Sequence, residues 1–229
     1  MRRRLPPIPT AIVAHPDRTA AAERLADAVA AEAILWDDGC FGAGANHLRA
    51  WRWLAQSSGS WSVVLEDDAV PVAHFRRQLP QALDVAPSGI VSLYLGRGRP
   101  PQWQPCIGAV MAPLGRDPHW LSAPSLLHHV GVAIRTELLA GMLATVPRHL
   151  VNLPIDEAIG VWARSRRIPI SYARPSLVDH ADDDPLIGER HDGQPRATGE
   201  IFEKRVAWVT GTRPRWGRDV IPMPLPAIL

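Results

Sequence analysis

Three consecutive carboxylates, Glu66-Asp67-Asp68, follow the apolar run Trp61-Ser-Val-Val-Leu65. Crowding three negative charges where a buried strand surfaces costs free energy unless a cation compensates them. Hard divalent ions such as magnesium and manganese take carboxylate oxygens and also bridge phosphates, so the triplet points to a nucleotide-phosphate site. The competing reading is a solvated loop at a helix start, where aspartate is favoured in any case. The triplet alone does not decide between them.

Other residues with chemistry to offer stand where apolar runs end. His15 and Arg18 close the run Thr10 to Ala14, where a nucleotide would approach and an arginine can pair with diphosphate oxygens. Asp37 and Asp38 close the run Ala33 to Trp36, where they could receive a base or the ribose hydroxyls, although Asp-Asp-Gly is also a turn sequence.

These positions call for strands that end together and helices that cover them. The run Thr10 to Ala14, then the alanine-rich Thr19 to Ala33 with Leu25 and Val29 at helical spacing, reads as strand, loop, helix. The pattern repeats with Ala33 to Trp36 and His47 to Gln56, and again with Trp61 to Leu65 and the periodic Phe75, Leu79, Ala82 and Leu83. Ile90 to Leu95 and Ile168 to Tyr172 read as further strands, and Leu138 to Leu143 and Ile155 to Ala163 as helices. Such alternation predicts an α/β fold with a mostly parallel mixed sheet covered by helices, binding ligands at the carboxyl ends of its strands. Gly96 to Pro124 reads as a long irregular connection, assigned to substrate contact. The expected organisation is an extension over 1–9, a catalytic domain over 10–180, and a loop with a Pro- and Arg-rich tail over 181–229 packed on the same domain.

Composition narrows the function classes. With 46% hydrophobic residues the chain can build a core, yet no apolar run approaches the roughly 20 residues that span a bilayer. The basic start lacks the apolar stretch of a secretory signal, so the expected compartment is the cytoplasm. Cys40 and Cys106 are too few for a disulfide framework and read as small buried residues. A net charge of +2 is too small to announce a nucleic-acid partner.

The segment Gly42-Ala-Gly-Ala-Asn46-His47-Leu-Arg-Ala-Trp51, followed by Val64-Leu65-Glu66-Asp67-Asp68-Ala69, resembles the lipooligosaccharide-type glycosyltransferase family. In that family a glycine-rich stretch with Ser-His leads a helix and precedes a Leu-Glu-Asp-Asp strand end; here Asn46 stands in place of Ser and His47 matches. The likeness extends more loosely from Ile12 to His180, through Ser92-Leu-Tyr-Leu-Gly96 and His129-Val-Gly-Val-Ala133. It implies a GT-A, Rossmann-like fold and a manganese- or magnesium-dependent transfer of sugar from a nucleotide donor, a UDP-sugar in first place. By resemblance, Glu66, Asp68 and His180 become metal ligands, with Asp67 able to replace a neighbour. Asn46 and His47 become donor contacts, and Asp156, with Glu157 beside it, becomes the base of an inverting reaction. Asp156 also suits a plain helix N-terminus after Pro154, and His180 an ordinary loop.

A donor site says nothing of the acceptor, which could be a glycan, a protein or a hydroxylated DNA base. Trp103, Trp120, Trp208 and Trp216 could stack on it, and Arg164, Arg166, Arg167, Arg213, Arg215 and Arg218 could meet phosphates, against the alternative of core tryptophans and a solvated arginine surface. Two other classes remain open: a non-catalytic nucleic-acid-binding protein on a glycosyltransferase-like fold, and a metal-dependent nucleotidyltransferase or phosphatase. Neither accounts for the order of the Gly-to-His and acidic segments.

Overall fold

The computed structural model describes residues 8–96, 99–114, 119–181 and 220–226. In chain order the elements are β1 (Thr10–Ala14), α1 (Thr19–Val29), β2 (Ala33–Trp36), α2 (Ala43–Leu54), β3 (Trp61–Glu66), β4 (Ala69–Pro71), α3 (Phe75–Asp84) and β5 (Ile90–Ser92). They continue with α4 (Gln104–Met111), β6 (His119–Ala123), β7 (Gly131–Arg135), α5 (Thr136–His149), α6 (Ile155–Ser165), β8 (Ile170–Arg174), β9 (Val178–His180) and β10 (Val220–Pro222). A short 3₁₀ turn, Pro16–Arg18, links β1 to α1.

Eight strands form one mixed sheet in the order β10-β6-β8-β5-β7-β3-β1-β2. Strands β2, β1 and β3 are parallel, β7 runs against both β3 and β5, and β8 returns parallel to β5. The period-2 alternation of the strands sorts side chains into two cores. Ala11, Val13, Val64, Val132 and Ile134 face α2, α5 and α6, whereas Ile12, Val63, Leu65, Val91 and Ala133 face α1 and α3. The sheet is thus covered on both sides, which is why its strands read as continuous apolar runs. Burying each such Val, Ile or Leu contributes about 1.5–3 kcal/mol. Among the described residues no helix is long and apolar enough to cross a membrane.

Two features set the edge where the site lies. Strand β1 sits between β2 and β3, and at their carboxyl ends α1 leaves β1 on one face of the sheet while α2 leaves β2 on the other, the edge at which open α/β sheets hold ligands. Strand β7, being antiparallel, begins where β3 ends, with Gly131 opposite Leu65. A Cβ on Gly131 would come within 2.8 Å of Val178 Cγ2 and 3.0 Å of Leu65 Cδ2, so only glycine lets this edge close. A second sheet of two strands, β4 and β9, pairs Ala69 with His180.

Several expectations need correction. The stretch from Gly96 to Pro124 is not irregular throughout: it contains α4 and the strand β6, which pairs with both β10 and β8. Pro105 and Gly108 disguise the helix, and β6 lacks alternation because both its faces are covered. Residues 220–222, assigned to a surface tail, form a strand parallel to β6. Cys40 is exposed, not buried.

Candidate functional site

Each site residue owes its place to a strand end or a helix start. Glu66 is the last residue of β3, and its N–H donates to Val130 O at 3.0 Å, which ties the acidic end to the segment entering β7. The chain then turns at Asp67 and Asp68. The N–H of His15, just past β1, donates to Asp67 Oδ2 at 2.8 Å, and Arg18 Nη1 donates to Asp67 Oδ1 at 3.1 Å and Asp68 Oδ2 at 2.7 Å. Arg18 thereby joins the ends of β1 and β3. Burial works against its charge, but the two aspartates outweigh this and raise its pKa. It is the resident counter-ion of the acidic turn; the diphosphate pairing expected of it would compete with these bonds.

His180 Nε2 lies 3.4 Å from Asp68 Oδ2, held there by the β4–β9 ladder and by Ala181 N–H donating to Asp68 O at 2.8 Å. Burial, followed by the charge of Glu66, raises the Asp68 carboxyl, with His180 and Arg18 pulling the other way. Asp68 Oδ1 and His180 Nδ1 are buried with no hydrogen-bond partner among the described residues.

Glu66 faces a different set of groups. Its Oε1 lies 3.2 Å from His47 Nε2, and the rings of His47 and His129 meet edge-on with centroids 4.2 Å apart. Within the described residues, His47, Glu66 and His129 form a group of three whose ligand atoms lie within 4.8 Å of one another; Glu66, Asp68 and His180 do not form such a group. The expected ligand set is corrected accordingly. Asp68 turns toward Arg18, and Glu66 toward α2 and the start of β7. Burial pushes the Glu66 carboxyl up, but His47, with His129 and His180, outweighs it and holds the pKa at about 2. Burial drives His129 down to about 3 and His128 to about 4, helped by His47 and His180 respectively, so both are neutral. His128 packs edge-on against Tyr94 at 4.9 Å.

Sequence reasoning missed His128 and treated His129 only as the head of a glycine segment. The signal was present: two adjacent histidines two residues before an apolar strand, at the same end as the carboxylates. Five of the chain's nine histidines, His15, His47, His128, His129 and His180, lie at this edge.

Asp156 stands in the first turn of α6, where the N–H of Glu157 donates to its Oδ1 at 2.9 Å. Burial, then the charges of Glu66 and Glu157, raise its pKa to about 6 against that hydrogen bond. It therefore lies within electrostatic reach of Glu66, while Glu157 is exposed. Asp37 is buried and accepts from Gly39 N–H and Phe41 N–H through one oxygen, Oδ1; Asp38 accepts from Cys40 N–H. Both build the turn after β2. Asn46 is committed as well: its amide donates to Leu35 O at 2.7 Å and accepts from Arg49 Nη1 at 3.0 Å, pinning α2 to β2. The ring of His15 accepts from Asp17 N–H within its own turn.

Of the aromatic candidates, Trp103 and Trp120 are buried in the cores and have no face for a ligand. Arg164 donates to Ser125 Oγ, and Arg166 and Arg167 are exposed. Trp208, Trp216, Arg213, Arg215 and Arg218 lie outside the described residues. A cavity of about 630 Å³ between β6, β10 and the end of α6 is lined by Arg164, Arg167 and Met223, and none of the strand-end groups reaches it.

No family model matches the chain, and no curated protein matches it. A solved structure described as "Crystal Structure of A197 from STIV" is similar over 80% of this chain and 100% of that one, at 10% identity and a TM-score of 0.41. That likeness is too slight to carry an argument about function.

Proposed function

We propose that the chain transfers a glycosyl group from a nucleotide-sugar donor to an acceptor hydroxyl with the aid of a divalent cation. The observation that carries this reading is the raised carboxyl of Asp156, at about 6, within electrostatic reach of an ionised Glu66 at the edge where β1 and β3 end. A carboxylate about two units more basic than usual is better matched to accepting a hydroxyl proton near neutral pH, and remains mostly ionised there. Arg18 and the N–H of His15 keep Asp67 and Asp68 fixed while the donor binds. The buried His47 Nε2, without a hydrogen-bond partner among the described residues, is a group that a cation beside Glu66 would satisfy. That cation would offset charge on the departing diphosphate. Proton transfer to Asp156 on the acceptor side supports inversion at the anomeric carbon.

The test is incubation of the full chain with nucleotide sugars, manganese and candidate acceptors: an oligosaccharide, a protein and a hydroxymethylated DNA. Release of nucleoside diphosphate that stops in chelator is the expected result, with UDP-sugars foremost. Absence of donor binding and turnover under every metal condition would overturn the reading. Retention of DNA without donor affinity would favour the nucleic-acid-binding alternative, and release of pyrophosphate would favour a nucleotidyltransferase.

A further inference from the structure

We propose that His47, Glu66 and His129 form a mononuclear site for a transition-metal dication of the manganese, cobalt and zinc class, in preference to magnesium. The three side chains come from α2, the end of β3 and the approach to β7, and their ligand atoms lie within 4.8 Å of one another. Ligands held about 2.0–2.2 Å from a four-coordinate ion stand about 3.3–3.6 Å apart, so the His47 Nε2 to Glu66 Oε1 separation of 3.2 Å already suits a shared ion.

The hydrogen bonding explains why a cation belongs there. His47 Nδ1 lies 2.7 Å from Ala43 O, so this nitrogen carries the proton it donates. With that proton alone on the ring, the lone pair of Nε2 is turned toward the carboxylate of Glu66, and two electron-rich atoms face each other. Nε2 has no hydrogen-bond partner among the described residues, and His47 is only 3% exposed. Either a second proton or a metal ion must lie between them. His129 favours the metal: it is 4% exposed, its Nδ1 has no partner among the described residues, and its Nε2 meets the indole N–H of Trp51 at 3.4 Å. That long contact is one a metal-bound tautomer gives up at small cost.

The bond from His47 Nδ1 to a backbone carbonyl is the outer support that metal-bound histidines use to fix ring and tautomer. Two imidazoles with one carboxylate suit manganese, cobalt or zinc, whereas magnesium prefers oxygen throughout. Three protein ligands leave a position open, and Glu66, 29% exposed, gives that position access from the cleft. The site stands on these contacts whether or not the chain transfers sugar.

The experiment is titration of the chelator-treated full chain with cobalt(II), without nucleotide, followed by visible absorption and calorimetry. Binding of one cobalt per chain with d–d absorption, competed by zinc but not by a large excess of magnesium, is expected. Glu66→Gln, nearly isosteric, and His47→Ala should each weaken cobalt binding about tenfold or more, while Asp68→Asn should leave it within about twofold. Circular dichroism and thermal unfolding select the folded variants, and Glu66→Gln alone suffices if His47→Ala fails to fold. Unchanged affinity in folded Glu66→Gln, equal affinity for magnesium and cobalt, or absence of cobalt binding would overturn the site. Cobalt binding without donor turnover would sustain the metal site and count against the transferase. Metal-dependent donor binding that survives in folded His47→Ala and Glu66→Gln would do the reverse.

Discussion

Replacing Asp156 by Asn removes the group that links charge, stability and the proposed proton transfer. In the folded chain the Asp156 carboxyl holds its proton up to about pH 6, against an ordinary 3.8. Folding therefore takes up a proton between those values, and the contribution of Asp156 to stability is present below the lower one and lost as pH rises through the upper. At about 1.4 kcal/mol per unit the shift is worth at most about 3 kcal/mol. Because Asp156 is only partly enclosed, solvent screening brings this to about 1–2 kcal/mol. Asn does not ionise, so Asp156→Asn should gain that amount relative to the parent on going from about pH 3 to about pH 7.5, a relative rise in Tm of about 2–8 °C. Thermal unfolding of both proteins at the two pH values measures it. The same variant should keep donor affinity and lose about 10²–10⁴-fold in transfer rate, since a base acts in the transition state. A Tm difference that does not change with pH would refute the burial argument. An Asp156→Asn enzyme with full transfer rate would remove the base and turn attention to Glu157.

Two further outcomes follow from the contacts around the acidic turn. Arg18→Gln removes the cation bonded to both Asp67 and Asp68, and should destabilise the chain by about 2–4 kcal/mol in chelator, read as a lowered denaturant midpoint; no loss would show that the turn is held by other groups. Asn46→Ala removes the amide's bonds to Leu35 O and Arg49, leaving Arg49 its bond to Trp36 O as the side-chain tie between α2 and β2, and should cost about 1–3 kcal/mol in the same assay while donor affinity, by calorimetry, stays within about twofold; a large loss of affinity in a stable variant would restore Asn46 as a donor contact.

The sheet was legible where strands are short apolar runs closed by turn residues. Thr10–Ala14 and Ala33–Trp36 emerge with the boundaries read from sequence, and Trp61–Glu66 differs by a single residue. Strands β4 and β9 were not legible, because three-residue segments carry no period and are defined only by each other. In the site, the strand-end position of the carboxylates followed from local pattern. Their partners did not: Arg18 binds across a separation of about fifty residues, and His129 meets His47 only because β7 runs antiparallel beside β3. Asn46 misled for the opposite reason, since an amide able to bind a ligand is equally able to satisfy a nearby carbonyl. The glycosyltransferase likeness remains one of motif order.

The small ladder between Ala69 and His180 has a consequence for how the protein is made. Translation at about 5–20 residues per second puts roughly 6–22 seconds between these two residues leaving the peptidyl-transferase centre. Throughout that interval the acidic turn is already synthesised and lacks first His129 and then His180. The nascent chain thus carries a concentrated negative charge for which Arg18, made earlier and two helices and two strands upstream, is a counter-ion already synthesised. The partners of the Arg18 bridge are all made once β3 and the acidic turn are synthesised, whereas His180 can join the turn only after β9 is made and pairs with β4.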